Sequence, residues 1–157
     1  MFFILINIHA QSSSKFKDDA LQFSLEVVKT FFQKDNNMYL DKISDSIFSL
    51  TGKGIYLKKK INYRLTESFK EAVKDKSKTF QDYQAFYKYE VLTIEDLVKT
   101  YNIRLPNYYK PKESDFFFIG GYKKNSKKDL PGFIWDDLYS FMVRKEGGKW
   151  IVKGFGE

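Results

Sequence analysis

Residues 135–155 read WDDLYSFMVRKEGGKWIVKGF, two alternating apolar runs on either side of Gly147-Gly148. This pattern predicts a β-hairpin, because two adjacent glycines take the positive φ angles of a tight two-residue turn. Pairing across the turn sets Lys145 opposite Trp150, Val143 opposite Val152 and Phe141 opposite Gly154. Tyr139, Phe141, Val143, Trp150 and Val152 then share one face, the face expected to be buried. The hairpin fixes an architecture and names no chemistry.

Upstream of it, Asp115–Tyr122 (DFFFIGGY) predicts a buried strand, with Gly120-Gly121 permitting a bulge or a close approach. Asn102–Ser114, with Pro106 and Pro111, and the lysine-rich Lys123–Pro131 read as loops. Asp82–Val91 alternates Tyr83, Ala85, Tyr87, Tyr89 and Val91 with more polar neighbours and predicts a strand. Thr93 with Asp96 resembles a capping box ahead of a short helix at Ile94–Tyr101. Nearer the start, Leu21, Leu25, Val28 and Phe32 recur at helical spacing, with Gln22, Glu26, Lys29 and Gln33 on the polar side. Leu40, Ile43, Ile47 and Leu50 predict a second helix over 37–50, ended by Gly52. Gly54–Leu57 suits a short strand, and a third helix is expected from Thr66.

Helices first and strands later give an α+β class: a curved antiparallel sheet, amino-terminal helices packed on one face, and a closing β-hairpin. The helix Asp18–Gln33, the segment Asn37–Leu50 and the terminal run LYSFMVRKEGGKWIVKGF together resemble the nuclear-transport-factor-two-like superfamily, with its cystatin-like cone. The resemblance covers most of residues 18–156 in order and texture and rests on no diagnostic motif. It implies a cone-shaped fold whose sheet and helices often enclose a pocket open at one end. Some members use acidic or histidine side chains there as enzymes, and many are binding or accessory modules.

The 157 residues suit one domain with a real core. The run MFFILINIHA, closed by a small residue and followed by QSSSK, has the form of a secretory signal cut after Ala10, although no Lys or Arg precedes it. The expected division is a leader at 1–10, a polar spacer at 11–17 and a single α+β domain at 18–157. Export to a periplasmic or secreted location follows if the leader is real, and a cytoplasmic location if it is not. No other stretch approaches the about 18 apolar residues of a membrane span.

Chemistry is constrained mostly by what is missing. The chain has no cysteine, and His9, its one histidine, lies in the leader-like run. Thiolate and histidine nucleophile systems and the usual zinc or iron sites are thereby disfavoured, and no metal is expected. No glycine-rich phosphate motif is present, so no cofactor is implied. The candidate lone acids are Asp115, which opens the Phe-rich strand, and Asp137, whose neighbour Asp136 points to the opposite face of a strand.

The aromatic content is 18%. Tyr87, Tyr89, Phe118, Trp135 and Tyr139 are candidates to line an apolar cavity, or else to form plain core. The net charge of +7 is carried mainly by lysine, with arginine only at 64, 104 and 144. Lys58, Lys59, Lys60, Lys123 and Lys124 are the candidate polyanion contacts. Nucleic acid is not the expected partner, because base and phosphate readers favour the arginine fork.

The leading expectation is a non-catalytic, exported small binding or accessory domain that takes a protein partner or a small apolar ligand, with homodimerisation through the sheet face as a further option. One alternative is a pocket enzyme with a lone carboxylate as proton shuttle. Another is a polyanion or anionic-membrane binder acting through its lysine-rich loops.

Overall fold

A computed structural model describes residues 3–33, 35–50, 54–61, 79–123 and 140–155. The chain is α+β, with an amino-terminal helix packed on a six-stranded sheet that ends in the carboxyl-terminal hairpin. Helix α1 is Phe3–Phe32, α2 is Asn36–Asp41, and strands β1 and β2 are Ile43–Ser49 and Ile55–Leu57. Helix α3 (Phe80–Phe86) leads into β3 (Tyr87–Thr93), and α4 (Ile94–Tyr101) precedes β4 (Asp115–Lys123). Strands β5 (Ser140–Glu146) and β6 (Lys149–Phe155) complete the sheet, in the order β2-β1-β6-β5-β4-β3. The sheet is mixed: β1 runs parallel to β6, and every other pairing is antiparallel.

The hairpin turns at Gly147 (φ 56°) and Gly148 (φ 82°), as its sequence predicts. Lys145–Trp150 and Val143–Val152 pair as expected. Beyond them the register slips: Met142 meets Gly154, and Phe141 meets Phe155 instead of Gly154. Lys153 is the extra residue, so β6 carries a bulge that strict alternation could not anticipate. A bulge does occur at the Gly120-Gly121 pair. Between the Glu90–Ile119 and Lys88–Tyr122 pairs, β4 spends one more residue than β3. A side chain at Gly120 would collide with the Tyr83 hydroxyl and the Phe118 ring, so the close approach requires glycine.

Two expected elements change type. The helix predicted over 37–50 ends at Asp41, and Ile43–Ser49 is a strand. Ile43 and Ile47 are four residues apart, a spacing that serves one face of a strand as well as one face of a helix. The intervening Ser44 and Ser46, and Ser49 beyond them, are poor helix formers. Conversely, the strand predicted from Asp82 begins only at Tyr87. Thr79 starts a helix there, accepting from the Asp82 N–H (3.1 Å) while the Asp82 carboxylate accepts from the Thr79 N–H (2.8 Å). The Thr79 hydroxyl also donates to that carboxylate (2.8 Å), and the bonds it accepts from the Thr79 N–H and hydroxyl lower the Asp82 pKa.

The expected first helix, the short strand at Ile55–Leu57, the helix behind Thr93 and the long loop after it are present. Thr93 caps α4 by accepting from the Asp96 N–H (3.0 Å). The backbone of residues 11–17, read as a spacer, is helical and continuous with the rest of α1. The third helix expected from Thr66 and the loop at 124–131 fall outside the described residues.

Both faces of the sheet are covered, and by different means. On the first, Ala20, Val27, Val28 and Phe31 of α1 pack on Ile43, Ile47, Val91, Phe116, Phe118, Phe141, Val143 and Val152. Buried Ser24 and Thr30 donate to carbonyls of their own helix (2.7 Å each), so α1 presents no unsatisfied hydroxyl to this layer. On the second face, Ile94 and Leu97 of α4 and Tyr109 of the following loop cover Phe117, Ile119, Met142 and Leu50. The expectation of helices on one face therefore holds for α1, while α4 closes part of the opposite side.

Candidate functional site

The aromatic candidates Tyr87, Tyr89 and Phe118 come together on the α1 face. Tyr83 stacks on Tyr87 (5.5 Å between centroids) and on Tyr89 (6.1 Å), Tyr89 stacks on Phe118 (6.5 Å), and Phe118 meets Phe141 (5.2 Å). Phe32 of α1 reaches the same group through Tyr83 (5.5 Å). The rings are one another's packing partners, as in a core layer. Trp135, Tyr139, Asp137 and Lys124 lie outside the described residues. Trp150, which sequence reading assigned to the buried hairpin face, is half-buried and sits edge-on to Phe16 (6.2 Å) and Phe116 (6.0 Å).

Asp115 lies on the other face, with Phe117 and Ile119, away from Tyr87 and Tyr89. Strand register puts Arg144 directly opposite it. Both are almost wholly buried, Asp115 at 1% exposure and Arg144 at 4%. The guanidinium donates through Nε to Oδ1 (2.5 Å) and through Nη2 to Oδ2 (2.8 Å), a two-pronged pairing. Oδ2 also accepts from the Tyr109 hydroxyl (2.5 Å) and the Lys112 N–H (2.9 Å). Arg144 Nη2 donates in addition to the Lys110 carbonyl (3.3 Å).

The hydrogen bond to Asp115 is the main reason the Arg144 pKa is raised. Burial, followed by the hydrogen bond to Asp115, pushes the Tyr109 phenol well above its ordinary range. A carboxylate with both oxygens engaged by a fixed cation, a phenol and a backbone amide has its acceptor sites directed at the fold. Two strands and the 102–114 loop are thereby tied at one point.

From Arg144 the polar band continues across the sheet. Glu146 lies 3.6 Å from Arg144 Nη1 and 3.7 Å from Lys153 Nζ, and Lys153 donates to Ser44 Oγ (2.9 Å). Phe48 of β1 receives both cations over its ring, Arg144 at 5.8 Å and Lys153 at 5.9 Å. Tyr108 stacks on Phe48 (6.5 Å), donates to the Ser49 carbonyl (2.6 Å) and accepts from the Gly54 N–H (3.0 Å). Its hydroxyl therefore braces the turn between β1 and β2.

Past Tyr108 the cover given by the described residues ends. Ile55 and Leu57 pair with Phe48 and Ser46, share their face, and are 55% and 56% exposed. Tyr108 is itself 36% exposed. The open end of the second face is thus an apolar patch on β1 and β2, walled on one side by the charged band.

The lysine candidates do not share this geometry with one another. Lys58, Lys59 and Lys60 follow β2 at its carboxyl end. Lys123 ends β4, which runs in the opposite direction and lies four strand spacings away, about 19 Å. The two groups therefore start from diagonal corners of the sheet.

Among the described residues no group of three His, Cys, Asp or Glu stands where it could hold a metal ion, and no helix is long and apolar enough to cross a membrane.

Sequence reading missed Arg144, Tyr108, Tyr109, Phe48, Ile55 and Leu57 as parts of one surface. One signal was available: Arg144 interrupts the apolar run of β5 in a chain that otherwise uses lysine. Comparison with family models, with curated proteins and with solved structures finds no match for the chain.

Proposed function

We propose that this chain is a non-catalytic binding or accessory domain that engages a protein partner through the open end of its second sheet face. One observation carries the reading. The buried ionisable side chains Asp115, Arg144 and Tyr109 satisfy one another, whereas Ile55, Leu57 and Tyr108 stand exposed together beside Phe48. A proton shuttle needs a carboxylate with a free lone pair facing a substrate. Asp115 accepts four hydrogen bonds from the fold and is 1% exposed, which supports a structural role better than a reactive one.

Mutual ring packing of Tyr87, Tyr89 and Phe118 supports surface recognition over an enclosed apolar ligand. The diagonal placement of the lysine groups gives no support to a single polyanion face. Helices ahead of a sheet and Trp150 just after the hairpin turn support a place in the nuclear-transport-factor-two-like superfamily, also as a proposal. Export belongs to the same proposal and rests on the leader-like residues 1–10. An intact mass lacking those residues, measured on chain recovered from its native host, is the expected result, and a full-length mass would contradict it.

Photo-crosslinking in the native host tests the binding reading. A benzophenone amino acid replaces Leu57 in one chain and Lys99, an exposed residue of α4, in another. The expected outcome is a discrete adduct from position 57 that Ile55→Asp abolishes, with none from position 99. No adduct from 57, or the same adduct from both positions, would overturn it.

A further inference from the structure

The two edges of the sheet are built differently. Strand β3 carries Lys88 and Glu90 at alternate positions, the charged pattern that keeps an edge from pairing with stray strands. Strand β2 carries Ile55 and Leu57, both more than half exposed, and among the described residues it is the other edge.

Its backbone groups can be placed by alternation. The Ser49 N–H donates to the Gly54 carbonyl (2.8 Å), which makes that pair a hydrogen-bonded one. Hydrogen-bonded and non-hydrogen-bonded pairs alternate along an antiparallel ladder. Ile47–Tyr56 is then bonded, and Phe48–Ile55 and Ser46–Leu57 are not. The N–H and C=O of Ile55 and the N–H of Leu57 therefore point away from β1, outward along the edge, while the Leu57 carbonyl accepts the first bond of the helical turn at 58–61. Directly behind them come Lys58, Lys59 and Lys60 on a helical turn, Lys58 partly buried and the other two exposed.

We infer that the partner presents an acidic peptide segment of another protein, bound in extended form as a strand added to β2. This inference rests on the binding reading above. The outward amides of Ile55 and Leu57 and the outward carbonyl of Ile55 supply main-chain hydrogen bonds. Alternate apolar side chains of the segment lie beside Ile55 and Leu57, and its acidic residues meet the three lysines. An anionic lipid surface would satisfy the lysines and the apolar pair. It would leave the outward N–H and C=O groups facing acyl chains that cannot bond to them, and so fits less well.

The test uses the full chain and a fluorescent synthetic peptide of alternating valine and threonine with three glutamates at one end or the other, read by anisotropy. Saturable binding is expected, weakened about tenfold by Lys59→Glu/Lys60→Glu, two exposed positions. The same peptide N-methylated at alternate amides should bind at least tenfold more weakly in one of its two methylation registers, because strand addition needs those donors. Amide exchange should slow at Ile55 and Leu57 and not at Lys88.

Equal binding of the N-methylated peptides would overturn strand addition. So would capture by phosphatidylserine vesicles with no peptide binding. If the peptide fails while the position-57 adduct still forms in cells, this inference falls and the binding reading stands. If both fail, both fall.

Discussion

The two faces of this sheet are sealed differently, the α1 face carrying most of the aromatic core and the second face far fewer rings. Under α1, Phe116, Phe118, Phe141, Val143 and Val152 meet an apolar helix face, and the few polar atoms of that face are bonded back to their own backbone. Among the described residues the second face is covered by the two-turn α4 and a proline-containing loop, and a loop must be held by more than burial. Asp115 holds it, gathering Tyr109, the Lys112 amide and Arg144 at one carboxylate. That cover stops short of β2, and there the exposed apolar residues appear. The difference teaches that a buried charge is not in itself a sign of chemistry. Here it fixes the border between the part of the face that is sealed and the part left open.

The largest expected effects separate the charged clasp from the apolar layer. Asp115→Ala strands a buried guanidinium and should cost about 3–5 kcal/mol, read as a fall in the urea midpoint. Asp115→Leu with Arg144→Met, which removes both charges, should lie closer to the unmodified chain than Asp115→Ala does. If the double variant is the less stable of the two, the clasp contributes more than the pairing of two charges. On the other face, Phe118→Ala should also cost about 3–5 kcal/mol, through lost burial and the cavity left behind. Its cost should add to that of the double variant with little coupling, because the two sites lie on opposite sides of the sheet.

A pH series sharpens the contrast further. The Tyr109 phenol is held protonated by burial and by Asp115, so its folded pKa lies above the unfolded value of about 10. The stability it contributes is complete below about pH 10 and erodes as the pH rises past that point, where the unfolded chain alone gives up the proton. The stability advantage over Tyr109→Phe should therefore shrink with increasing alkalinity, measured by urea midpoints from pH 8 to 11. A constant difference would place the phenol outside the clasp. The smallest expected effect is Thr93→Ala, about 1 kcal/mol from loss of the α4 cap, again read as a shift in the urea midpoint.

The fold was legible where local chemistry decides it. Gly147-Gly148, Gly120-Gly121 and Thr93 each demand one backbone solution, and each found it. Segment 43–49 was misread because isoleucines four apart satisfy both periods, and the pairings of β1 with β2 and with β6, the latter more than a hundred residues away, select the strand. Tyr83 was misread for the opposite reason. Alternating tyrosines suggested a strand, while the Thr79–Asp82 cap just ahead of them favoured a helix. The candidate site was hardly legible at all. Asp115 was singled out as an acid, but its meaning depends on Arg144 standing across from it, a register that the sequence does not print. The patch at Ile55 and Leu57 was hidden by its brevity, since three residues carry too little pattern to reveal which face is left uncovered.

On the proposed function, the buried charges serve the fold and the open β1–β2 end serves recognition. The most direct test is the adduct yield from a benzophenone at position 57 in the Asp115→Leu/Arg144→Met chain, taken at a temperature where circular dichroism shows it folded. The account predicts a yield within about twofold of the chain that keeps both charges. Loss of the adduct from a folded chain would contradict it, because the charged pair would then belong to the recognition surface itself.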